Sequence, residues 1–359
     1  MIWEVFRQEK PGDYHTHCGD VHAPDAEIVH HGGHTKLGQN HPHYRANRER
    51  FHQRWVRTGL VDRFARQRGK RPCGSVSVCV IALNEQEYIE SSLESVYPLA
   101  DRIIVVEGGN AFSVAAGACT GKGRSLDRTA EVVTRFKAEK DRRGVVEFHR
   151  PDRPWKDKTE ARQFCLDMLE PGDWCLALDA DEVFYDAGLW RLSALMHEHD
   201  YITFGLETFW RDFGTVGVEK WRDFFFNMRC FRVRQGDRYR THLQVVNAEG
   251  TPIDRDPPRR KHHEAVPLAA HYPWVKPLQK IRRKLDYYRG QCRDRPIRSD
   301  YLERIFLRWP ERPDEINRLG THPMGGGTCE PWTGRHPEPI QRRLEAGLFG
   351  WIREVKGER

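Results

Sequence analysis

Apolar and polar positions follow two regimes along this chain. From residue 75 to about 200, short apolar runs (SVSVCVIAL, DRIIVVEGG, VVEFHR and WCLALDADE) alternate with segments whose apolar positions recur at helical spacing. The first run is rich in β-branched residues and suits a buried parallel strand. In EQEYIESSLESVYP, Tyr88, Ile89, Leu93 and Val96 share one helical face, and Pro98 stops the helix. LDRTAEVVTRFKAEK predicts a helix with Asp127 placed to cap it. WKDKTEARQFCLDMLE and LWRLSALMHEHD predict two more. Such alternation implies right-handed crossovers and an α/β fold, Rossmann-type, with a mainly parallel sheet and helices on both faces. Beyond Tyr201 the alternation ends. YITFGLETFW and MRCFRVR predict a small antiparallel part, and PPRRKHHEAVP a turn-rich section. KPLQKIRRKLDYYRGQ and SDYLERIFLRW predict C-terminal helices, with GTHPMGGGTCEPW as an irregular cover.

Ahead of residue 73 the pattern is different. Residues 1 to about 44 hold eight of the chain's eighteen histidines with many Gly, Pro and Asp, and read as loop. From Tyr44 to about Arg68 a helix is expected, with Phe51, Trp55, Leu60 and Phe64 along it and Gly59 as a break. RGKRPCGS is a polar linker. The expected organisation is therefore a His-rich loop and basic helix over 1–72, a main α/β domain over 73–292, and a helix with an irregular cover over 293–359.

Composition narrows the class. The chain has 359 residues, 38% hydrophobic and 31% charged, which suits a soluble globular enzyme. No window approaches the ~18 apolar residues of a membrane span, and the first residues lack the pattern of a secretory signal. Nine cysteines, scattered and without a C-x-x-C pair, argue for a reducing cytosol rather than a disulfide framework. The net charge of +7 is concentrated: Arg45 to Arg71 carries ten Lys/Arg against Glu49 and Asp62.

The chemistry gathers at the ends of the apolar runs. In an open parallel sheet, ligands bind outside the carboxyl ends of the strands. Asn84 and Glu85 follow the first strand, Glu107 the second, and Asp179, Asp181 and Glu182 the fourth. An acidic cleft of this kind makes sense if a divalent cation, Mg2+ or Mn2+, fills it and an anionic ligand sits on the cation. A lone D-x-D arises by chance about once in a chain this long. Its position beside the other strand ends is what gives it weight.

From Val76 to about Tyr288 the chain resembles a family 2 glycosyltransferase of the GT-A fold. VSVCVIALNEQEYIESSLESV is similar to that family's opening strand, Asn-Glu turn and first helix. IIVVEGG with SLDRT resembles its "VVDxGSxDxT" segment, with Glu107 in the Asp place and Ser125, Asp127 and Thr129 following. KTEARQF resembles the "A-R-N" helix, and LALDADEVF the metal-binding D-x-D segment. RCFRVRQGDRYRTHLQ and AAHYPWVKPLQKIRRKLDYY resemble segments of a bacterial branch that builds surface glycans and glycolipids. The resemblance spans about 210 residues.

It implies that Asn84, Glu85, Glu107 and Asp127 line the nucleoside pocket of a nucleoside-diphosphate sugar. Asp179 contacts ribose or metal, Asp181 ligates the metal, and His271 completes the coordination or touches the diphosphate. Lys158 and Arg162, one helical turn apart, hold donor phosphates or brace the acidic loop. Asp179, Asp181, Glu182 and His242 form the catalytic set. The implied reaction is a single in-line displacement with inversion, the acceptor being a glycan or a lipid-linked sugar. Several departures stand out. Gln163 replaces Asn, and Leu243 rather than Glu follows His242, leaving Glu207, Asp212, Glu219 and Asp223 as alternative bases. About fifteen extra residues separate Glu107 from Ser125. Within them GACTGKG lacks the spacing of a phosphate-binding P-loop, so the insertion is expected to act as a flexible lid.

VHHGGHTKLGQ and NRERFHQRW are similar to the closing segment of another family 2 glycosyltransferase, which implies that residues 1 to about 60 are the tail of an upstream domain or that the chain starts at a junction; the plain alternative is a polar loop bound to the surface. The basic helix either packs on the catalytic domain or lies on the inner face of a membrane. Other classes fit less well. A sugar nucleotidyltransferase needs a Gly-rich loop after the first strand, and IALNEQEYI has none. The Arg45–Arg71 segment lacks the stacked aromatics or zinc-finger spacing of a nucleic-acid binder. A scaffold without activity is compatible with Gln163 and Leu243.

Overall fold

The computed structural model describes residues 74–218, 229–291, 297–323 and 326–356. The His-rich loop, the basic helix and the base candidates Glu219 and Asp223 lie outside the described residues.

Three strands alternate with three helices at the start: β1 (Val76–Ala82), α1 (Ile89–Val96), β2 (Arg102–Glu107), α2 (Ala111–Ala115), α3 (Thr129–Glu139) and β3 (Val146–His149). Next come α4 (Lys158–Leu166), β4 (Trp174–Asp179), β5 (Glu182–Phe184), α5 (Asp186–Met196), β6 (Tyr201–Thr208), β7 (Thr215–Val218) and β8 (Cys230–Arg232). The hairpin β9 (Arg238–Thr241) and β10 (Gln244–Val246) leads to β11 (Lys261–His271) and α6 (Leu278–Gln291). A π-helical turn (Tyr301–Phe306), α7 (Pro313–Leu319), β12 (Thr328–Pro331), α8 (Glu338–Glu345) and α9 (Ile352–Lys356) complete the described chain.

Eight strands form one sheet in the order β3-β2-β1-β4-β8-β6-β11-β5. β3, β2, β1 and β4 are parallel neighbours, as are β6 and β11, while β8 and β5 run against them. This is the mainly parallel α/β sheet that the sequence pattern predicts. β1, β2, β4 and β6 are buried across nearly their whole length, which is why they read as continuous apolar runs rather than alternating ones. One apolar layer packs α1, α3 and α5 on one face through Leu93, Val133, Phe136, Leu189 and Leu192. α4 covers the other face through Ala161, Cys165 and Leu166.

Register fixes where the strand ends meet. Ala82 pairs with Glu107, and Ile81 pairs with Asp179, so β1, β2 and β4 finish side by side. β4 and β5 are separated by only Ala180 and Asp181, yet they stand four places apart in the sheet. A link of three peptide steps reaches about 11 Å at most, whereas four flat strand spacings need about 19 Å. The sheet must therefore curl, and Asp181 lies at the seam, its carbonyl accepting from Tyr272 N at 2.9 Å.

Three expectations change. PPRRKHHEAVP, read as turns, feeds into the eleven-residue strand β11. Its polar start is accommodated by His263 bonding Thr203 Oγ1 at 2.7 Å and Glu264 pairing with Arg191 at 2.8 Å. Pro267 sits at a register shift, where a missing N–H costs nothing. In the expected cover, TCEP pairs with β7 as β12. Asp127 does not cap α3 in the expected way; Arg128 is the N-cap residue, and Asp127 instead accepts from Thr129 N at 2.9 Å and Gln86 N at 3.3 Å.

Packing of α5 on β11 leaves no space at one point. A Cβ added at Gly188 would lie 2.1 Å from the Leu268 carbonyl oxygen. Gly188→Ala is therefore expected to destabilise the protein by about 1–3 kcal/mol despite the better helix propensity of alanine. Urea unfolding measures it, and a stability gain would contradict this packing.

Candidate active site

The loops at the converging strand ends enclose a cleft of about 410 Å³, within the range of small-ligand sites. Asn84, Glu85, Lys158, Arg162, Asp179, Asp181, His242 and His271 all line it. Glu107, Asp127 and Glu182 do not line it but stand behind those that do.

The first wall is the turn after β1. Asn84 takes a left-handed conformation, φ 57°, which an Asn tolerates better than most residues. Its side chain clamps the inserted segment: Oδ1 accepts from Leu126 N at 2.7 Å and Nδ2 donates to Ala118 O. Glu85 N donates to Thr129 Oγ1 at 2.7 Å. Glu107 is buried, accepting from Ser125 N at 3.1 Å and from Arg150 Nε at 2.5 Å. It braces the 125–129 loop from below. The insertion itself is a wall rather than a loose lid. Asn110 caps α2 by accepting from Ser113 N, and Gly109 N donates to Gly123 O at 2.8 Å.

The second wall is the acidic tip. Arg162 on α4 reaches through the sheet, donating to the carbonyls of Cys79 (2.9 Å) and Leu178 (3.0 Å) and to Asp179 Oδ1 (2.5 Å). It is thus a structural clamp on the β1–β4 seam as well as a partner of Asp179. Burial works against the Asp179 carboxylate, but Arg162, Lys158 and Arg229 outweigh it and hold its pKa down at about 2. Glu182 is fully buried, pairs with Arg229 at 2.8 Å and accepts from Asp179 N at 3.0 Å. Burial pushes its carboxyl upward despite Arg229. It positions Asp179 and does not face the cleft.

Asp181 is the most heavily contested group. Oδ2 accepts from Lys276 Nζ at 2.8 Å, and Oδ1 lies 3.5 Å from His271 Nε2. Burial opposes its charge, yet Lys276 and His271 together keep it well below the usual carboxylate range. Asp179, Asp181 and His271 each offer one ligand atom within 4.8 Å of the others. Two carboxylates and one imidazole, with room in the cleft for further oxygens, form a donor set that fits Mn2+ or Mg2+.

Sequence reasoning missed the cations from the far end of the domain. Lys276 Nζ also contacts Glu85, and Lys280 Nζ contacts Asp127, Glu87 (2.6 Å) and the Asn84 carbonyl (2.9 Å). Burial, then the neighbouring Lys276 charge, holds Lys284 down at about 7. The spacing of Lys276, Lys280 and Lys284, four residues apart along KPLQKIRRKLDYY, was the available signal. Arg229, which neutralises Glu182, carried no such signal. Among the described residues, Lys158, Arg283 and Lys284 line the cleft without an ion pair to any carboxylate. The alternative bases Glu207 and Asp212 are off the cleft; Asp212 pairs with Arg211 at 2.9 Å and accepts from Gly214 N and Thr215 Oγ1. Among the described residues no helix is long and apolar enough to cross a membrane.

No protein-family model and no curated protein matches the chain. Solved structures similar to it include Staphylococcus aureus TarS, at 14% identity over 79% of this chain and 55% of that one, with a TM-score of 0.35. TarS 1–349 is similar at 11% identity over 79% of this chain and 90% of that one, TM-score 0.36. A third is glucosyl-3-phosphoglycerate synthase from Mycobacterium tuberculosis in complex with Mn2+, UDP-glucose and phosphoglyceric acid. It is 22% identical over 40% of this chain and 47% of that one, with a TM-score of 0.27. The chain thus spans about half the length of the first of these.

Proposed function

We propose that this chain is a glycosyltransferase that moves a sugar from a nucleoside-diphosphate donor to a glycan or lipid-linked acceptor, with inversion at the anomeric carbon. One observation carries the reading. Asp179, Asp181 and His271 bring ligand atoms within 4.8 Å of one another in a cleft that Lys158, Arg283 and Lys284 also line. Carboxylates that gather a cation beside uncommitted ammonium and guanidinium groups suit a diphosphate, which takes both. Bound there, Mg2+ or Mn2+ would neutralise charge on the leaving diphosphate.

The chain's own groups divide the remaining work. Asn84 and Glu85, anchored on the 118–129 segment, border the nucleoside side of the cleft. Asp127 and Glu107 act through that anchoring. Lys158 and Lys284 bind the phosphates, and Arg162 holds Asp179 in place. For the acceptor proton, Asp179 and Asp181 are held as carboxylates by Arg162 and Lys276, Glu85 is tied to Lys276 while burial pushes its carboxyl up to about 8, and Asp157 caps α4 by accepting from Glu160 N at 2.9 Å. We assign that role to His242, on the β9–β10 turn and lining the cleft, which stays neutral because burial, then Lys158, holds its pKa down at about 4.

Asp181→Asn keeps the shape of the side chain and should lower turnover by about 10²–10³-fold, the scale of a lost electrostatic contact in a closed site. A panel of UDP-, GDP-, CMP- and dTDP-sugars with Mn2+ measures it, after unfolding curves establish that the variant is folded. Full activity would remove the central residue of the proposal. The same panel identifies the donor by melting shift, since a ligand at 100 times its dissociation constant adds about 2.7 kcal/mol.

Lys284 supplies a pH test. With its pKa near 7, the amine is mostly neutral at pH 8. A diphosphate beside it favours the charged form, so donor binding at pH 8 should take up a proton. Calorimetry in two buffers of different ionisation enthalpy reads this uptake, and Lys284→Met should abolish it. Equal uptake in both proteins would place the titrating group elsewhere.

A further inference from the structure

The cation that neutralises Asp181 in this structure is part of the chain. Lys276 Nζ lies between Asp181 Oδ2, at 2.8 Å, and the Glu85 carboxylate, with which it is also in contact. All three side chains are largely shielded, at 5%, 9% and 13% exposure. The lysine cannot drift away freely, because the segment that leads to it is pinned. Val275 O accepts from Tyr88 OH, and Tyr88 is itself buried and stacked on Tyr272 at 5.0 Å. Tyr272 N in turn donates to the Asp181 carbonyl.

The arrangement leaves Asp181 with one oxygen on the ammonium and the other turned toward His271 and Asp179. A divalent cation entering that three-residue cluster meets a positive charge fixed on the far side of the same carboxylate. Two like charges a few ångströms apart, sharing one ligand in a shielded site, repel strongly. A bound diphosphate reverses the balance, because its oxygens supply negative charge to both.

We propose that Lys276 makes cation binding conditional on the donor: it suppresses the affinity of the Asp179–Asp181–His271 cluster for a divalent ion in the empty cleft, and the diphosphate restores it. This rests on the glycosyltransferase reading of the cleft and adds a specific coupling residue to it. Linkage requires the effect to be reciprocal, so the ion should strengthen nucleotide binding by the same factor as the nucleotide strengthens ion binding. The lysine is a positioning and gating residue, and need not touch the sugar.

The test measures Mn2+ binding directly, by the electron paramagnetic resonance signal of free Mn2+ titrated into the full chain, with and without UDP or GDP, each titration corrected for the Mn2+ that the nucleotide binds without protein. In the unsubstituted protein the nucleotide is expected to tighten Mn2+ binding at least tenfold. In Lys276→Met, Mn2+ alone should bind at least tenfold more tightly than to the unsubstituted protein, and the nucleotide should tighten it by a smaller factor than in the unsubstituted protein, the part that direct coordination by the diphosphate supplies. Because Lys276→Met leaves two carboxylates facing each other, the double variant Lys276→Met/Glu85→Gln, which removes one of them, is measured in parallel. Lys276→Arg, which keeps the charge, should retain the coupling. Equal Mn2+ affinity in the unsubstituted protein and both Met variants overturns the role of Lys276 and leaves the metal site standing. Absence of Mn2+ binding in all of them, with nucleotide present, overturns the metal site and this coupling together.

Discussion

Charge neutralisation at the strand ends is the constraint on which the cleft depends. Glu85, Glu87, Asp127, Asp179, Asp181 and Glu182 gather where β1, β4 and their loops converge, and each meets a lysine or arginine. Ion pairs of this kind are weak net stabilisers, since each ion gives up several kcal/mol of hydration before attraction returns it. Removing one partner is different: it strands a shielded charge at a cost of about 3–5 kcal/mol. The pairs therefore act less as glue than as a condition. The acids can stay together only while the bases stay among them.

That condition explains the shape of the domain. Most of the acids come from the parallel half, before residue 183, while Arg229, Lys276 and Lys280 come from the half that follows. The contact of Lys276 with Glu85 joins positions 191 residues apart, and that of Lys280 with Glu87 joins positions 193 apart. Such contacts require the sheet to curl until β11 and the start of α6 reach the β1 turn. The curl is enforced independently by the short β4–β5 link. Covalent geometry and electrostatics thus select the same closure, and the aromatic stack of Tyr88, Tyr272 and Phe209 fills the space beneath it.

The parallel half was legible because burial on both faces writes a strand as an unbroken apolar run, and VSVCVIA and WCLALD could hardly be anything else. The positions of Asn84 and Asp179 followed from strand ends alone. β11 was hidden because its first residues, KHHE, answer polar partners on neighbouring elements, His263 to Thr203 and Glu264 to Arg191, which no local pattern records. Roles were harder than places. Glu107 and Glu182 stand at the expected strand ends but turn inward, toward Arg150 and Arg229. A carboxylate at a strand terminus is equally suited to face ligand or to hold the residue that does. Only the location of the compensating guanidinium decides, and in the case of Glu182 that cation is contributed by a residue 47 positions away.

Separating committed from uncommitted cations also says what the cleft can attract. Arg162, Arg229, Lys276 and Lys280 are each spent on an acid, so the acidic tip presents little net charge to an approaching ion. Lys158, Arg283 and Lys284 line the cleft without such a partner, and they set its long-range pull, which favours an anion. A free divalent cation gains little from entering such a site by itself. A diphosphate gains from the uncommitted bases but leaves its own excess charge beside Asp179 and Asp181. On the proposed reading the two together would satisfy every group at once, with Asp179, Asp181 and His271 holding the cation and Lys158, Arg283 and Lys284 holding the phosphates. A site in which acids and bases come so close to cancelling one another would be complementary to the pair rather than to either member.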